Sequence, residues 1–317
     1  MDIYEKVNNE IIQRLEEAEK NGTEFHWISP YNIGKPYMSM SYKSQQTYHG
    51  INCVILSEPN EYLTFNMIND INKEDYDFWH IRKGAKGKPV LYYKEVEDVD
   101  KDTGEILLDK YGNIKKKKIL KHYTVYSRED VVNQEGDNLP SKLHFEHYNH
   151  DDIVKELRNK LNEFNSLFNE YTKMKNINVE KTTDGTIAYY SIDDNTIRVP
   201  KMENFSSVYD YIHTCSHELI HSTMLAMNRK IPENKYTIKF NREELVAEIG
   251  ADLMCARLRI FNDSMEENSL AYLQSWASYL KKQNKEIITA SKNAEKAVKY
   301  ILENVKILNR EFYDEER

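Results

Sequence analysis

The run His217-Glu218-Leu219-Ile220-His221 restricts this chain more than any other stretch. Histidines four positions apart share one face of a helix, one turn above the other, so the run makes chemical sense inside a rigid helix. Its flanks supply one: Phe205, Val208, Ile212, Cys215, Leu219 and Met224 recur at helical spacing and draw an apolar stripe beside the imidazoles. Neutral imidazole is a good zinc ligand, and two from one helix make half of a tetrahedral site. Glu218, directly after the first histidine, is placed as a general base on water held by a metal. The competing account is a chance match in a histidine-containing helix, so the reading turns on whether a third ligand is at hand.

Residues 242–252 provide candidates. They read as a second helix with Leu245, Ile249, Leu253 and Ala256 toward the core, while Glu244, Glu248 and Asp252 fall four apart in an acidic stripe. Ala247, Gly250 and Ala251 are small enough to let another helix approach, the histidine helix being the natural partner. Glu244 is taken as the third ligand and Glu248 as the group that orients a ligand histidine. The reverse assignment is open, because Glu248 and Asp252 repeat the spacing. Glu243 reads as part of a solvated acidic face. His213 reads as a hydrogen-bonded helix histidine, since two histidines and one carboxylate already leave the open position that catalysis needs. His-His-Glu ligation suits one Zn2+ best and tolerates Mn2+ or another divalent ion.

Composition narrows the setting. At 317 residues the chain has room for about two domains, and 40% hydrophobic residues suffice for real cores. No apolar run approaches the roughly 20 residues of a membrane span. The start, Met1-Asp2-Ile3-Tyr4-Glu5, is acidic and amphipathic, unlike a signal peptide. Cys53, Cys215 and Cys255 are odd in number and lack paired spacing, so they read as buried thiols in a reducing cytoplasm. The expectation is a cytoplasmic protein with no membrane partner and a monomer as the default state. A net charge of -8 argues mildly against bulk nucleic-acid binding, yet it averages over local patches.

One such patch is residues 78–94, where Arg82, Lys83, Lys86, Lys88 and Lys94 occur without an acid. Gly84 and Gly87 make a turn between two strands that carry Trp79, Tyr92 and Tyr93. Basic groups beside exposed rings suit single-stranded nucleic acid, phosphates meeting cations and bases stacking; a solvated hairpin with ordinary core aromatics fits the same residues equally well. Around the patch, 2–21 form an amphipathic helix, 23–50 a polar-aromatic loop, 64–71 a short helix capped by Thr64, and 95–121 a protruding ribbon with a basic end. Ile51 to Leu56 is a buried strand or the start of a helix. His122 to Tyr126 returns as a strand, and 127–150 reads as a linker in which His144, His147 and His150 belong to a polar loop. Helices follow at 151–174, 264–282 and 286–304, with strands at 178–199 around Asp184-Gly185 and Asp193-Asp194-Asn195 turns. The last of these strands, Asn195 to Val199, could hold an extended peptide by its edge. Residues 306–317 are charged and expected to fray.

Several stretches resemble the ArdC-like antirestriction proteins of conjugative elements, whose first domain is similar to one in conjugative primases. They are Tyr48-His49-Gly50-Ile51-Asn52, Leu63-Thr64-Phe65, Arg82 through Val90 with Tyr92-Tyr93, His122 through Tyr126, Ala188-Tyr189-Tyr190, Ile197-Arg198-Val199-Pro200, the histidine run, Arg242 through Ala251 and Ser275-Trp276. The resemblance implies an α+β protein: an N-terminal mixed α/β domain that binds single-stranded DNA and a mainly helical, zincin-like metallopeptidase domain with a small sheet. The expected division is 1–126, a linker at 127–150, and 151–317. It also implies a role in shielding incoming DNA from restriction and favours DNA for the basic patch. The site residues expected there are Tyr48, Trp79, Arg82, Lys83, Lys86, Lys88 and Tyr92. A protein substrate or the restriction machinery is a further class of partner. Two other readings use the same residues: a pure DNA-coating protein with a structural metal, and a peptidase with one dedicated protein target.

Overall fold

A computed structural model describes residues 2–32, 34–74, 77–145, 149–182, 187–230, 242–262 and 270–305. The expected Asp184-Gly185 turn, the helix start at 264–269, the tail at 306–317, His147 and the side chain of His150 lie outside the described residues. Residues 1–62 and 140–317 form one compact unit, and 63–139 a second. Packing therefore groups the chain otherwise than the sequence character of 1–126, 127–150 and 151–317. The reason is an N-terminal hydrophobic stripe that finds its partner late in the chain.

In the larger unit, α1 (Ile3–Asn21) starts at an Asp2/Glu5 capping box and stops at Gly22. It buries Val7, Ile11, Ile12 and Leu15, and it packs on α7 (Leu270–Lys282). The loop that follows carries β1 (Met40–Ser41), which pairs in parallel with β2 (Glu61–Leu63). Between them, Ile51 to Ile55 is helical, α2, and packs on α8 (Glu286–Asn304). The aromatic loop is a core element: Trp27 is 1% exposed and meets Trp276 edge to face at 5.6 Å. Tyr48 is buried as well.

The long α4 (His150–Met174) begins at an Asn149/Asp152 capping box and buries Phe164, Leu167, Phe168 and Tyr171. Three strands follow, β7 (Asn178–Thr182), β8 (Tyr189–Ser191) and β9 (Thr196–Pro200), in the order β7-β9-β8. β9 is therefore central, and among the described residues the open edge next to the histidine helix belongs to β8, not to Asn195–Val199 as expected. That helix, α5 (Val208–Ser222), is capped by Ser207, whose hydroxyl accepts from the Asp210 N–H. It packs on α6 (Arg242–Arg257), which in turn packs on α8. Ile212, Cys215 and Leu219 are fully buried, each such residue contributing roughly 1.5–3 kcal/mol for the aliphatic side chains. Gly250 sits where α6 meets α5: a Cβ there would lie 2.8 Å from the Ile220 side chain. The small residues thus do let the two helices approach.

The smaller unit holds α3 (Phe65–Glu74), opened by Thr64 as expected, whose hydroxyl accepts from the Met67 N–H. Then come β3 (His80–Ile81), β4 (Lys88–Glu97), β5 (Lys116–Ser127) and β6 (Val131–Val132). β4 and β5 make the expected antiparallel ribbon, extended by bridges at Val99/Ile106 and Leu108/Ile114. β3 pairs with β6 and not with β4, so residues 82–87 are a turn between strands with different partners, not the tip of a hairpin. Val131, Val132 and Leu139 are buried, so this part of the expected linker belongs to a core. Among the described residues no helix is long and apolar enough to cross a membrane, and all three cysteines are buried free thiols.

Candidate metal centre

α5 and α6 bring His217, His221 and Glu244 together, with one ligand atom from each lying within 4.8 Å of the others. The Nε2 atoms of His217 and His221 stand 3.0 Å apart. Glu244 lies 3.5 Å from His217 Nε2 through one carboxylate oxygen and 3.4 Å from His221 Nε2 through the other. Behind the rings, His221 Nδ1 is 3.3 Å from Glu243 and His217 Nδ1 is 3.8 Å from Glu248. A carboxylate behind an imidazole favours the proton on Nδ1. Both Nε2 lone pairs then face each other and Glu244, an arrangement that calls for a cation between them. The donor set fits a divalent metal.

The electrostatics agree. Burial lowers the basicity of His217, but the Glu244 hydrogen bond and the charges of Glu248, Glu218 and Glu244 outweigh it, and the imidazole is raised to about 9. The cavity attracts positive charge. Glu218 is 5% exposed and one carboxylate oxygen, Oε2, has no hydrogen-bond partner. Burial pushes its carboxyl up, His217 and His221 draw it down, and Glu244 pushes it up again. The Tyr190 N–H on β8 donates to the same carboxylate. A buried carboxylate held at one oxygen and free at the other is poised to take a proton.

The acids of α6 divide their labour in a way the sequence did not show. Glu248 accepts from the Tyr272 hydroxyl at 3.0 Å beside His217. Glu243, read from the sequence as solvated, is 6% exposed and accepts two 2.8 Å bonds from Arg229, Nη2 donating to Oε1 and Nε to Oε2. It is the group that backs His221. Burial raises its carboxyl, yet Arg229 and His221 together bring it below the usual range. Asp252 is buried and turned to the N-terminal loop. It accepts from the Trp27 and Ile28 N–H groups at 2.7 and 3.2 Å and lies 3.1 Å from His213 Nε2. His213 is thus a hydrogen-bonded helix histidine, as expected. No local signal marks Glu243, because its partner Arg229 lies in a separate segment.

In the smaller unit, Arg82, Lys83 and Lys86 are exposed on the 82–87 turn, and Arg82 donates to Asn138 at 2.9 Å. Tyr92 is exposed, but Trp79 and, in the larger unit, Tyr48 are buried. The expected stacking by Trp79 and Tyr48 is corrected accordingly: both rings serve cores. Cross-strand register instead puts Lys88, Tyr92, Lys94, Lys117, Lys121 and Tyr123 on one face of the ribbon, with Tyr92 and Tyr123 rings 5.9 Å apart. Glu95 and Glu97 fall on the other face. Alternation along the strands was the signal that sets Lys121 and Tyr123, not singled out from the sequence, beside Lys94 of the basic patch and Lys117 of the basic ribbon end.

Comparison with known proteins agrees with both halves of this geometry. Residues 1–126 match the N-terminal domain of anti-restriction factor ArdC, and residues 170–293 match a zincin-like metallopeptidase family. The metal-free crystal structure of antirestriction ArdC protein from the R388 plasmid is 26% identical, with a TM-score of 0.62 over 96% of this chain and 98% of that one. The chain joins an ArdC N-terminal domain to a zincin-like metallopeptidase domain. The same fold is found in the Mn(II)-bound ArdC structure, 22% identical with a TM-score of 0.58 over 97% of this chain and 99% of that one. Two Escherichia coli proteins described as DNA primase TraC are 27% and 24% identical over 94% and 95% of this chain. The chain spans only 20% and 27% of their lengths.

Proposed function

We propose that this chain is a cytoplasmic antirestriction protein of a mobile element that binds single-stranded DNA and hydrolyses a peptide bond at one metal centre. The sequence modules 1–126 and 151–317 carry the two tasks. The observation that carries the reading is the convergence of His217, His221 and Glu244 beside a buried Glu218 with a free oxygen. His217, His221 and Glu244 would hold the ion, zinc by ligand chemistry, with manganese as the alternative. Such an ion, when bound, supplies Lewis acidity toward a carbonyl and acidifies water. Glu218 takes the proton, in a site that burial has already made receptive to it. Glu243 and Glu248 hold the imidazoles, and β8 offers a free strand edge to an extended peptide. The Mn(II)-bound ArdC relative supports a divalent ion at this centre.

For DNA, the support is the ribbon face with Tyr92 and Tyr123 among lysines, continued by the basic turn at 82–87. Lys117 is engaged by Asp98 at 3.0 Å, whereas Lys94 and Lys121 have no carboxylate partner among the described residues. Exposed rings between free cations suit stacked bases and phosphates.

The test has two arms. Fluorescence anisotropy with a labelled single strand and its duplex, across a salt series, should show salt-sensitive preference for the single strand. Alanine at Arg82, Lys83, Lys86 and Lys88 should flatten the salt slope by about 0.7 per lost phosphate contact. An unchanged slope moves the DNA site elsewhere, and no binding at low salt removes it. In the second arm the metal-loaded protein is given a peptide library: Glu218→Gln should abolish cleavage while metal binding persists. Cleavage that survives this change overturns the mechanism, and a protein that never cleaves is a DNA-coating protein with a structural ion.

A further inference from the structure

A pocket of about 350 Å³ shares its wall with the metal centre. Tyr190, whose N–H reaches Glu218, and Ser222, the residue after His221, both line it. Tyr171, Tyr300 and Lys175 line it as well. The volume is in the range of sites that take a small ligand, and aromatic rings give it an apolar body.

Lys175 gives it a charge. Its Nζ donates to the Tyr300 hydroxyl and to Asn304 Oδ1, each at 2.8 Å. The ammonium lies 4.5 Å from the Tyr300 ring centre and 5.9 Å from that of Tyr171. Both acceptors are neutral, and no carboxylate among the described residues pairs with Lys175. An ammonium has three donors, so one is left over. On the same helix the half-buried Lys160, by contrast, meets Glu156 and Glu163. A half-buried cation held in position by two neutral groups, with its counter-charge missing, is a receptor for an anion. Lys175 also ends α4, where a cation is favourable against the helix dipole. That role needs neither the aromatic walls nor the cavity.

We infer that this pocket selects the substrate of the adjacent centre and that Lys175 is its specificity-determining residue, taking a carboxylate. The inference rests on the hydrolytic reading of the centre only for the word substrate. A peptide laid along the edge of β8 passes Tyr190, which belongs to the pocket wall. The carboxylate is either an Asp or Glu side chain or the terminus of the peptide chain. The aromatic walls hold the intervening methylenes, and the remaining ammonium donor meets the charge.

The experiment is calorimetric titration of the full chain with three probes: acetyl-Ala-Glu-amide, acetyl-Ala-Gln-amide, and acetyl-Ala-Ala with a free terminal carboxylate. A carboxylate probe should bind, and the Gln probe about 10- to 100-fold more weakly. Lys175→Met should remove that preference and Lys175→Arg restore it in large part, with thermal unfolding confirming that each variant folds. Tyr300→Phe, which deletes a positioning acceptor and keeps the ring, should weaken the carboxylate probe by less. Preference for the Glu probe identifies a side chain, and preference for the third probe a chain terminus. Binding of the Gln probe as tight as that of the better carboxylate probe, no binding by either carboxylate probe, or a preference intact in Lys175→Met overturns the inference. Titration does not require turnover. A protein that binds carboxylates through Lys175 but cleaves nothing would therefore unseat the hydrolytic reading and leave the pocket.

Discussion

α6 and the β4–β5 ribbon both carry a dense row of charge, and they use it in opposite ways. On α6, Glu243, Glu244, Glu248 and Asp252 are drawn inward, and each is aimed at a named partner: Arg229 and His221, the two Nε2 atoms, Tyr272 and His217, and the Trp27 and Ile28 backbone. On the ribbon, lysines and tyrosines stand in water, and only some, such as Lys117 with Asp98, are paired. Burial makes each charge on α6 singular, because an unpaired charge in a core is costly. Exposure makes the ribbon charges interchangeable, because water supports each of them. A single substitution should therefore be severe on α6 and mild on the ribbon.

The sharpest test is Asp252→Ala. It orphans two buried N–H groups and the His213 and His26 imidazoles, and should cost about 3–5 kcal/mol in urea unfolding. A loss below about 1 kcal/mol would break the contrast. Next, Gly250→Val drives a side chain into Ile220 and should cost about 1–3 kcal/mol, with metal affinity falling because α5 and α6 separate. Glu243→Gln keeps the volume but loosens His221, and should weaken metal binding roughly 10- to 100-fold in a competition titration with a chelating dye.

A pH series separates the pairing from the packing. Burial lowers His26, but its hydrogen bonds to Asp252 and Glu24 raise it to about 10. A histidine raised from its ordinary value near 6.5 contributes stability that is whole below that pH and lost as pH rises through the folded value. The stability difference between wild type and His26→Gln should therefore be largest near pH 6 and shrink toward pH 10. A constant difference would make His26 a packing residue only. The smallest effect is expected on the ribbon: Lys94→Ala or Lys121→Ala should change stability by less than about 0.5 kcal/mol, and DNA affinity should fall appreciably only when they are changed together.

Much of the helical core was legible because its signals are local. Val7, Ile11 and Leu15, or Ile287, Ala290, Ala294 and Val298, repeat with the turn of a helix and are buried for that reason. Aromatic residues were less legible. Trp79, Tyr48 and Tyr92 look alike in the chain, yet two are buried and one is exposed, since a ring is equally at home under a loop or on a strand in water. Strand partners were similarly hidden: nothing near His80 says that β3 joins β6 across the whole ribbon.

The sequence alone determined that a helix would present His217 and His221 on one face, that Glu218 would stand between them, and that a second helix with spaced carboxylates and a glycine could lie against it. These follow from 3.6 residues per turn and the absence of a side chain at Gly250, both properties of the chain itself. Only the tertiary structure decided which acid does what. Neighbouring positions on a helix point about 100° apart, so Glu243 and Glu244 differ by nothing the sequence displays. The rotation at which α6 packs on α5, and the distant Arg229 that Glu243 meets, gave one to the metal centre and the other to the histidine behind it.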